Sequence, residues 1–161
     1  MAEMEYIGDA FYDYGGGLYA NMTNKCPCRC AFCIRDMVDS LGDADSLWLK
    51  REPTMNELME MLKEQDLEKY REIVFCGYGE PTERLDCLFK VCDYVKNDPK
   101  LGGRLKTRLN TNGLSDFINK RPTAKEFEGK LDAISISLNA PTPEKYLELC
   151  RPKFGIRSFD E

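Results

Sequence analysis

Residues 18–33 read Leu18-Tyr19-Ala20-Asn21-Met22-Thr23-Asn24-Lys25-Cys26-Pro27-Cys28-Arg29-Cys30-Ala31-Phe32-Cys33. Leu18 to Met22 is a mostly apolar run of strand length, and after three intervening residues the first of four cysteines arrives. The same plan, a short strand closing in an unusual loop, returns three times. Glu72 to Cys76 (Glu-Ile-Val-Phe-Cys) is a strand that stops at Gly77. Lys106 to Asn110 is a third, closing in Thr111-Asn112-Gly113, a strong turn signal. Leu131 to Leu138 is the fourth.

Helical patterns fill the intervals. Thr54 follows Pro53 and precedes Glu57 by three residues, the reciprocal capping pair, and Met55, Leu58, Met59 and Leu62 then fall on one face. A helix from about Glu83 to Val95 puts Leu85, Leu88, Cys92 and Val95 together, before Asp98-Pro99 and Gly102-Gly103 break it. Weak helical material spans residues 115–128. Thr142 and Pro143 begin a last helix through Tyr146, Leu147 and Cys150. Residues 36–52 are polar and read as a loop anchored by Trp48.

Strand alternating with helix predicts an α/β fold of parallel βαβ units. Right-handed crossovers bring all strand C-termini to one side, where ligands bind. The four distinctive stretches all lie there: the cysteine loop, Gly77–Thr82, Asn110–Gly113 and Ser137–Pro141. Ser158 and Glu161 form another capping pair at the chain's end, which predicts a helix start there and a barrel truncated after its fourth βα unit.

With 161 residues, 42% hydrophobic and 32% charged, the chain suits one soluble domain, with residues 1–15 as an N-terminal extension. No apolar run approaches bilayer length, and Met1-Ala2-Glu3-Met4-Glu5 lacks the basic start of a signal peptide, so the expected location is cytoplasmic. Net charge is −5, acidic over 36–70 and basic over 100–130. There is no basic stripe interleaved with aromatics, so the basic stretch reads as a solvated face, which gives nucleic acid little support as a partner and leaves no membrane partner.

There is no histidine, which excludes His-ligated zinc, a Ser-His-Asp triad and a His general base. Eight cysteines in a cytoplasmic chain point instead to metal or redox chemistry. Cys26-x-x-x-Cys30-x-x-Cys33 can grip three corners of an iron–sulfur cubane and leave the fourth iron open. Cys28, two residues from each of two ligands, reads as a non-ligand. A non-catalytic metal module, structural zinc or an iron–sulfur electron carrier, is the competing reading. Zinc would pair Cys30 and Cys33 with Cys87 and Cys92, and either module predicts a bound metal that ignores any small-molecule cofactor. Otherwise Cys76, Cys87, Cys92 and Cys150 are small buried hydrophobes.

A three-cysteine loop after strand one, with Gly79-Glu80-Pro81 after strand two, resembles the radical SAM superfamily and its partial TIM-like (βα) barrel. Residues 21–35, from Asn21-Met22-Thr23 through Ile34-Arg35, are similar to the TatD-associated radical SAM family in particular. The resemblance implies a [4Fe–4S] cluster on Cys26, Cys30 and Cys33, with S-adenosylmethionine (SAM) chelating the fourth iron. Phe32 would lie near the adenine, and Gly79, Glu80 and Pro81 would receive the methionine ammonium. Asn110 and Asn112 would touch the methionine part, and Ser137 and Asn139 the ribose. Reductive cleavage would give methionine and a 5′-deoxyadenosyl radical that takes hydrogen from a substrate the sequence leaves unnamed; an RNA or DNA substrate is an alternative. A one-electron donor such as flavodoxin or ferredoxin and a functional link to a TatD-type nuclease are implied as well. Tyr78 departs from the family pattern, standing where many members have a first glycine.

Overall fold

The computed structural model describes residues 5–161. Residues 1–4 of the expected N-terminal extension lie outside the described residues. Five strands form one open sheet in the order β1-β2-β3-β4-β5. They are β1 Phe11–Tyr14, β2 Gly17–Ala20, β3 Glu72–Phe75, β4 Lys106–Thr111 and β5 Ala133–Ile136. β2 through β5 run parallel, and β1 pairs antiparallel with β2. The helices are α1 Met55–Lys63, α2 Leu85–Asn97, α3 Ser115–Asn119 and α4 Pro143–Cys150. This is an α/β fold with the form of a partial βα barrel.

The parallel strands fall where expected, with ends shifted by one or two residues: β3 and β5 are shorter, β2 starts one residue earlier and stops two earlier, and β4 runs one residue further. β1 was not expected, because residues 1–15 read as an extension. Its hairpin rests on Gly15 and Gly16, whose φ values of 59° and 84° suit a two-residue turn with both central φ positive. Two further expectations are corrected. Trp48 does not anchor the 36–52 loop; the fully buried Leu47 does, and Trp48 is 38% exposed, edge-on to Tyr78. Ser158 caps no helix. It lies inside a 3-10 turn, Gly155–Phe159, buried and with its hydroxyl unpartnered.

Period-two alternation sorts the strands between two faces. Leu18, Ala20, Ile73, Phe75 and Leu109 face the helices and pack with Leu58, Leu62, Leu88, Val91 and Val95 in the main core. Tyr19, Val74, Arg108 and Asn110 point the other way, as their register partners require. There the 36–52 loop lies over the β1 side, burying Tyr12, Leu47 and Tyr78 with Tyr19, Leu41 and Ala44. β5 is exposed on both faces.

α1 shows how local chemistry sets an element. Thr54 accepts from Glu57 N at 3.2 Å, while the Glu57 carboxylate accepts from Thr54 N at 2.8 Å, and Leu58, Met59 and Leu62 are buried. Thr54→Ala removes the hydroxyl half of that box. It is expected to cost about 1 kcal/mol, read as a fall of about 2–4 °C in Tm by differential scanning calorimetry.

Candidate functional site

The cysteine loop leaves the end of β2 and is tied down on three sides. On the first, Asn21, fully buried, donates to the carbonyls of Asp9 (3.0 Å) and Leu47 (2.8 Å) and accepts from Tyr78 N at 3.2 Å. Asn24 closes a two-way bond with the Leu49 backbone, at 2.7 and 3.1 Å. Buried polar groups need such partners, and here the partners come from three separate segments.

On the second side stands the end of β3. Glu80 N donates to Lys25 O at 2.8 Å, and Gly79 sits so close that a Cβ there would lie 2.2 Å from Thr23 O. Gly77 is pressed likewise against Asn21. Both glycines are therefore required by close backbone approach. Arg35 reaches the carbonyls of Asn24 (3.1 Å) and Tyr78 (3.4 Å), and the Tyr78 hydroxyl donates to Val38 O.

The third side is α4. Its last carbonyls, which no intrahelical donor can satisfy, accept from the loop: Arg29 N to Cys150 O at 3.0 Å and Ala31 N to Leu149 O at 2.8 Å. Lys153 N donates back to Pro27 O at 2.8 Å. Cys30 packs with Tyr146 and Cys150 in a small apolar cluster, and its thiol donates to Cys150 O at 3.8 Å. No local pattern announces this contact between residues 120 positions apart.

Within the loop all four thiols are free. Cys28 is 6% exposed, and its thiol lies within hydrogen-bonding reach of both Cys26 and Cys30. That neighbour draws Cys26 below its ordinary range and Cys30 down to about 6, while Cys28 itself is pushed up. Cys33 stands on the outer side, opening the short 3-10 turn Ile34–Asp36. Cys26, Cys28 and Cys33 line a hollow of about 360 Å³, rimmed by Arg29, Arg35, Arg151 and Lys153.

Asn112, just past β4, joins this site. Its side chain donates to the sulfurs of Cys26 and Cys28 at 3.9 and 3.8 Å. Its backbone N–H donates to Glu80 at 2.9 Å. Glu80 is 5% exposed and ties the ends of β3 and β4 together, also accepting from the hydroxyls of Thr82 (2.8 Å) and Thr111 (2.6 Å). Burial pushes its carboxyl up, against the pull of those donors. Pro81, the next residue, is buried as well. Asn110 sits on the open face of the sheet beside Cys76, with its Oδ1 buried and unpartnered. Ser137 and Asn139 are exposed past β5, and Asn139, at φ 65°, donates to the Cys150 sulfur at 3.9 Å. Phe32 is 45% exposed at the loop's tip.

An iron–sulfur cluster fits these residues. The donor set is sulfur alone, the Asn112 side-chain amide donates to it, and a rim on which four cations outnumber Asp36 complements the negative charge of a thiolate-bound cluster. Among the described residues no three Cys, Asp or Glu side chains gather around one point as a single ion needs. A cubane takes one thiolate at each of separate corners. Cys87 and Cys92 are buried on α2 in the main core, among the apolar residues behind the sheet.

Compared with known protein families, residues 20–159 match the Radical SAM superfamily. No curated protein and no solved structure matches the chain. The matched segment runs from the end of β2 through the 3-10 turn after α4 and covers most of the chain, the cysteine loop included, so this chain belongs to the radical SAM superfamily.

Proposed function

We propose that this chain is a radical SAM enzyme whose Cys26, Cys30 and Cys33 hold three irons of a [4Fe–4S] cluster, with the fourth iron chelated by SAM. The observation that carries it is the convergence of strand ends on one thiol loop, with the Asn112 amide 3.9 Å from the Cys26 sulfur. When bound, cluster and SAM supply one-electron cleavage to methionine and a 5′-deoxyadenosyl radical able to take hydrogen from a substrate.

The chain's own residues bind and orient. Cys28 shares the hollow with Cys26 and Cys33, and it supports Cys26 and Cys30 through its thiol without touching iron. The Glu80 carboxylate is already engaged by Thr82, Thr111 and Asn112, so the methionine ammonium is met chiefly by the main-chain carbonyls around Gly79–Pro81. The Glu80 side chain keeps that strand end in place. Asn110 and Asn112 take the methionine part, Ser137 and Asn139 the ribose, and Phe32 lies over the adenine. We also propose the TatD-associated branch, with its link to a TatD-type nuclease, a flavodoxin or ferredoxin as electron donor, and a cytoplasmic setting. No helix among the described residues is long and apolar enough to cross a membrane.

The test is EPR on anaerobically reconstituted, dithionite-reduced protein with and without SAM. A cubane signal that shifts when SAM is added is the expected result. A signal that ignores SAM, or zinc in place of iron, would overturn the proposal.

A further inference from the structure

Three buried side-chain polar atoms among the described residues lack a partner: Arg108 Nε, Asn110 Oδ1 and the Ser158 hydroxyl. Two of the three are on β4, two residues apart, and therefore on one face of the sheet. It is the face turned away from the helices. Arg108 has Val74 on one side and Ala133 on the other as register neighbours, and neither can accept a hydrogen bond through its side chain. Its one acidic partner is Glu72, at 3.1 Å from Nη2, and Tyr19 lies against it. Glu72 therefore fills only half of the fork that an arginine offers to an oxyanion, and the Nε–H half is unused.

The surroundings leave this guanidinium approachable. The 36–52 loop covers the sheet on the β1 side, but Ala133 and Ser135, the β5 neighbours of Arg108 and Asn110, are exposed. The Arg108 side chain is 29% exposed while its Nε is buried, so an anion engages that N–H by displacing what covers it. Asn110 lies about 7 Å further along the strand, and the following Asn112 reaches the cysteine sulfurs. A molecule held by Arg108 would thus extend along β4 past Asn110 toward the thiol loop.

We propose that Arg108 is the recognition point for the substrate, which carries a carboxylate or phosphate group bound by the Nε–H and Nη2–H fork in competition with Glu72. This rests on the radical SAM reading only for the word substrate; the anion site stands on β4 geometry alone. Arg108 acts here as a binding residue, remote from the reacting atoms.

The experiment follows the arginine Nε–H resonances of the full-length ¹⁵N-labelled protein, reconstituted and oxidised, with Arg108→Gln used to assign the Arg108 signal. Inorganic phosphate and acetate are titrated separately at constant ionic strength set with chloride. The Arg108 signal should move and saturate with one of them, phosphate naming a phosphate substrate and acetate a carboxylate one, while Arg104 and Arg121 stay still. Glu72→Gln, which removes the competing carboxylate, should tighten that binding by about fivefold. An Arg108 signal indifferent to both anions, or binding that Glu72→Gln fails to strengthen, would overturn the inference. Arg108→Gln should keep the SAM-dependent EPR shift. A missing shift in the unaltered protein therefore faults the radical reading, and a silent Arg108 beside a normal shift faults the anion site alone.

Discussion

Serine at Cys26, Cys30 or Cys33 is expected to strip the reconstituted protein of nearly all its iron, whereas Cys28→Ser keeps it. Loss of an outer hydrogen-bonding partner alone costs about 10–100-fold in metal affinity, and loss of a thiolate ligand costs at least as much. Cys28 behaves differently because of where it lies: 6% exposed, between the sulfurs of Cys26 and Cys30, with Tyr146 against it. Serine there keeps a small hydrogen-bonding group in nearly the same volume. Iron and sulfide per chain, with the visible absorption of the cluster, read all four variants. If Cys28→Ser lost its iron while one of the other three kept it, the ligand set would have to be redrawn around the buried thiol.

The second large effect is expected at Gly79. An added Cβ would stand 2.2 Å from Thr23 O and 2.7 Å from Lys25 O, and both obstacles are backbone, which cannot swing aside as a side chain can. Gly79→Ala should therefore destabilise at the upper end of the range for overpacking, roughly 3 kcal/mol, or about 6–12 °C in Tm for a domain of this size. The strain falls on residues 23–25, so the cysteine loop should shift with it, and SAM should no longer perturb the EPR signal of whatever cluster is loaded. Gly103→Ala is the control, since a Cβ there meets nothing within 4 Å and the residue has no positive φ. Its Tm should hardly move. A Gly79→Ala protein as stable as Gly103→Ala would mean that strand β3 does not press on the loop as described.

Much of this molecule was legible in its sequence because the signals are local. Period-two runs gave the parallel strands, the Thr54 and Glu57 pair gave the start of α1, and thiol spacing singled out the loop. Gly15-Gly16 also announced the hairpin of β1, a local signal that the reading of residues 1–15 as an extension passed over. Errors arose where burial depends on distant neighbours. Trp48 looks like the anchor by size, yet Leu47 is the residue buried with Tyr12 and Tyr78, while Trp48 meets Tyr78 edge-on and stays 38% exposed. Ser158 and Glu161 have the spacing of a cap, but the packing of Phe159 on Tyr146 draws Ser158 into a turn.

What the sequence alone determined, then, is the order of the parallel strands and their helices, the crowding of thiols in one loop and the placement of unusual residues at strand ends, since each depends on neighbours within a few positions. Only tertiary structure decided that Cys28 is walled in, that Glu80 is spent on tying two strands, that α4 offers its last carbonyls to the cysteine loop, and that Arg108 has half a fork unused. Those facts depend on which backbone groups meet across up to 120 residues of chain. Hydrogen-bond partners and burial are properties of the packed sheet and are carried by no local pattern.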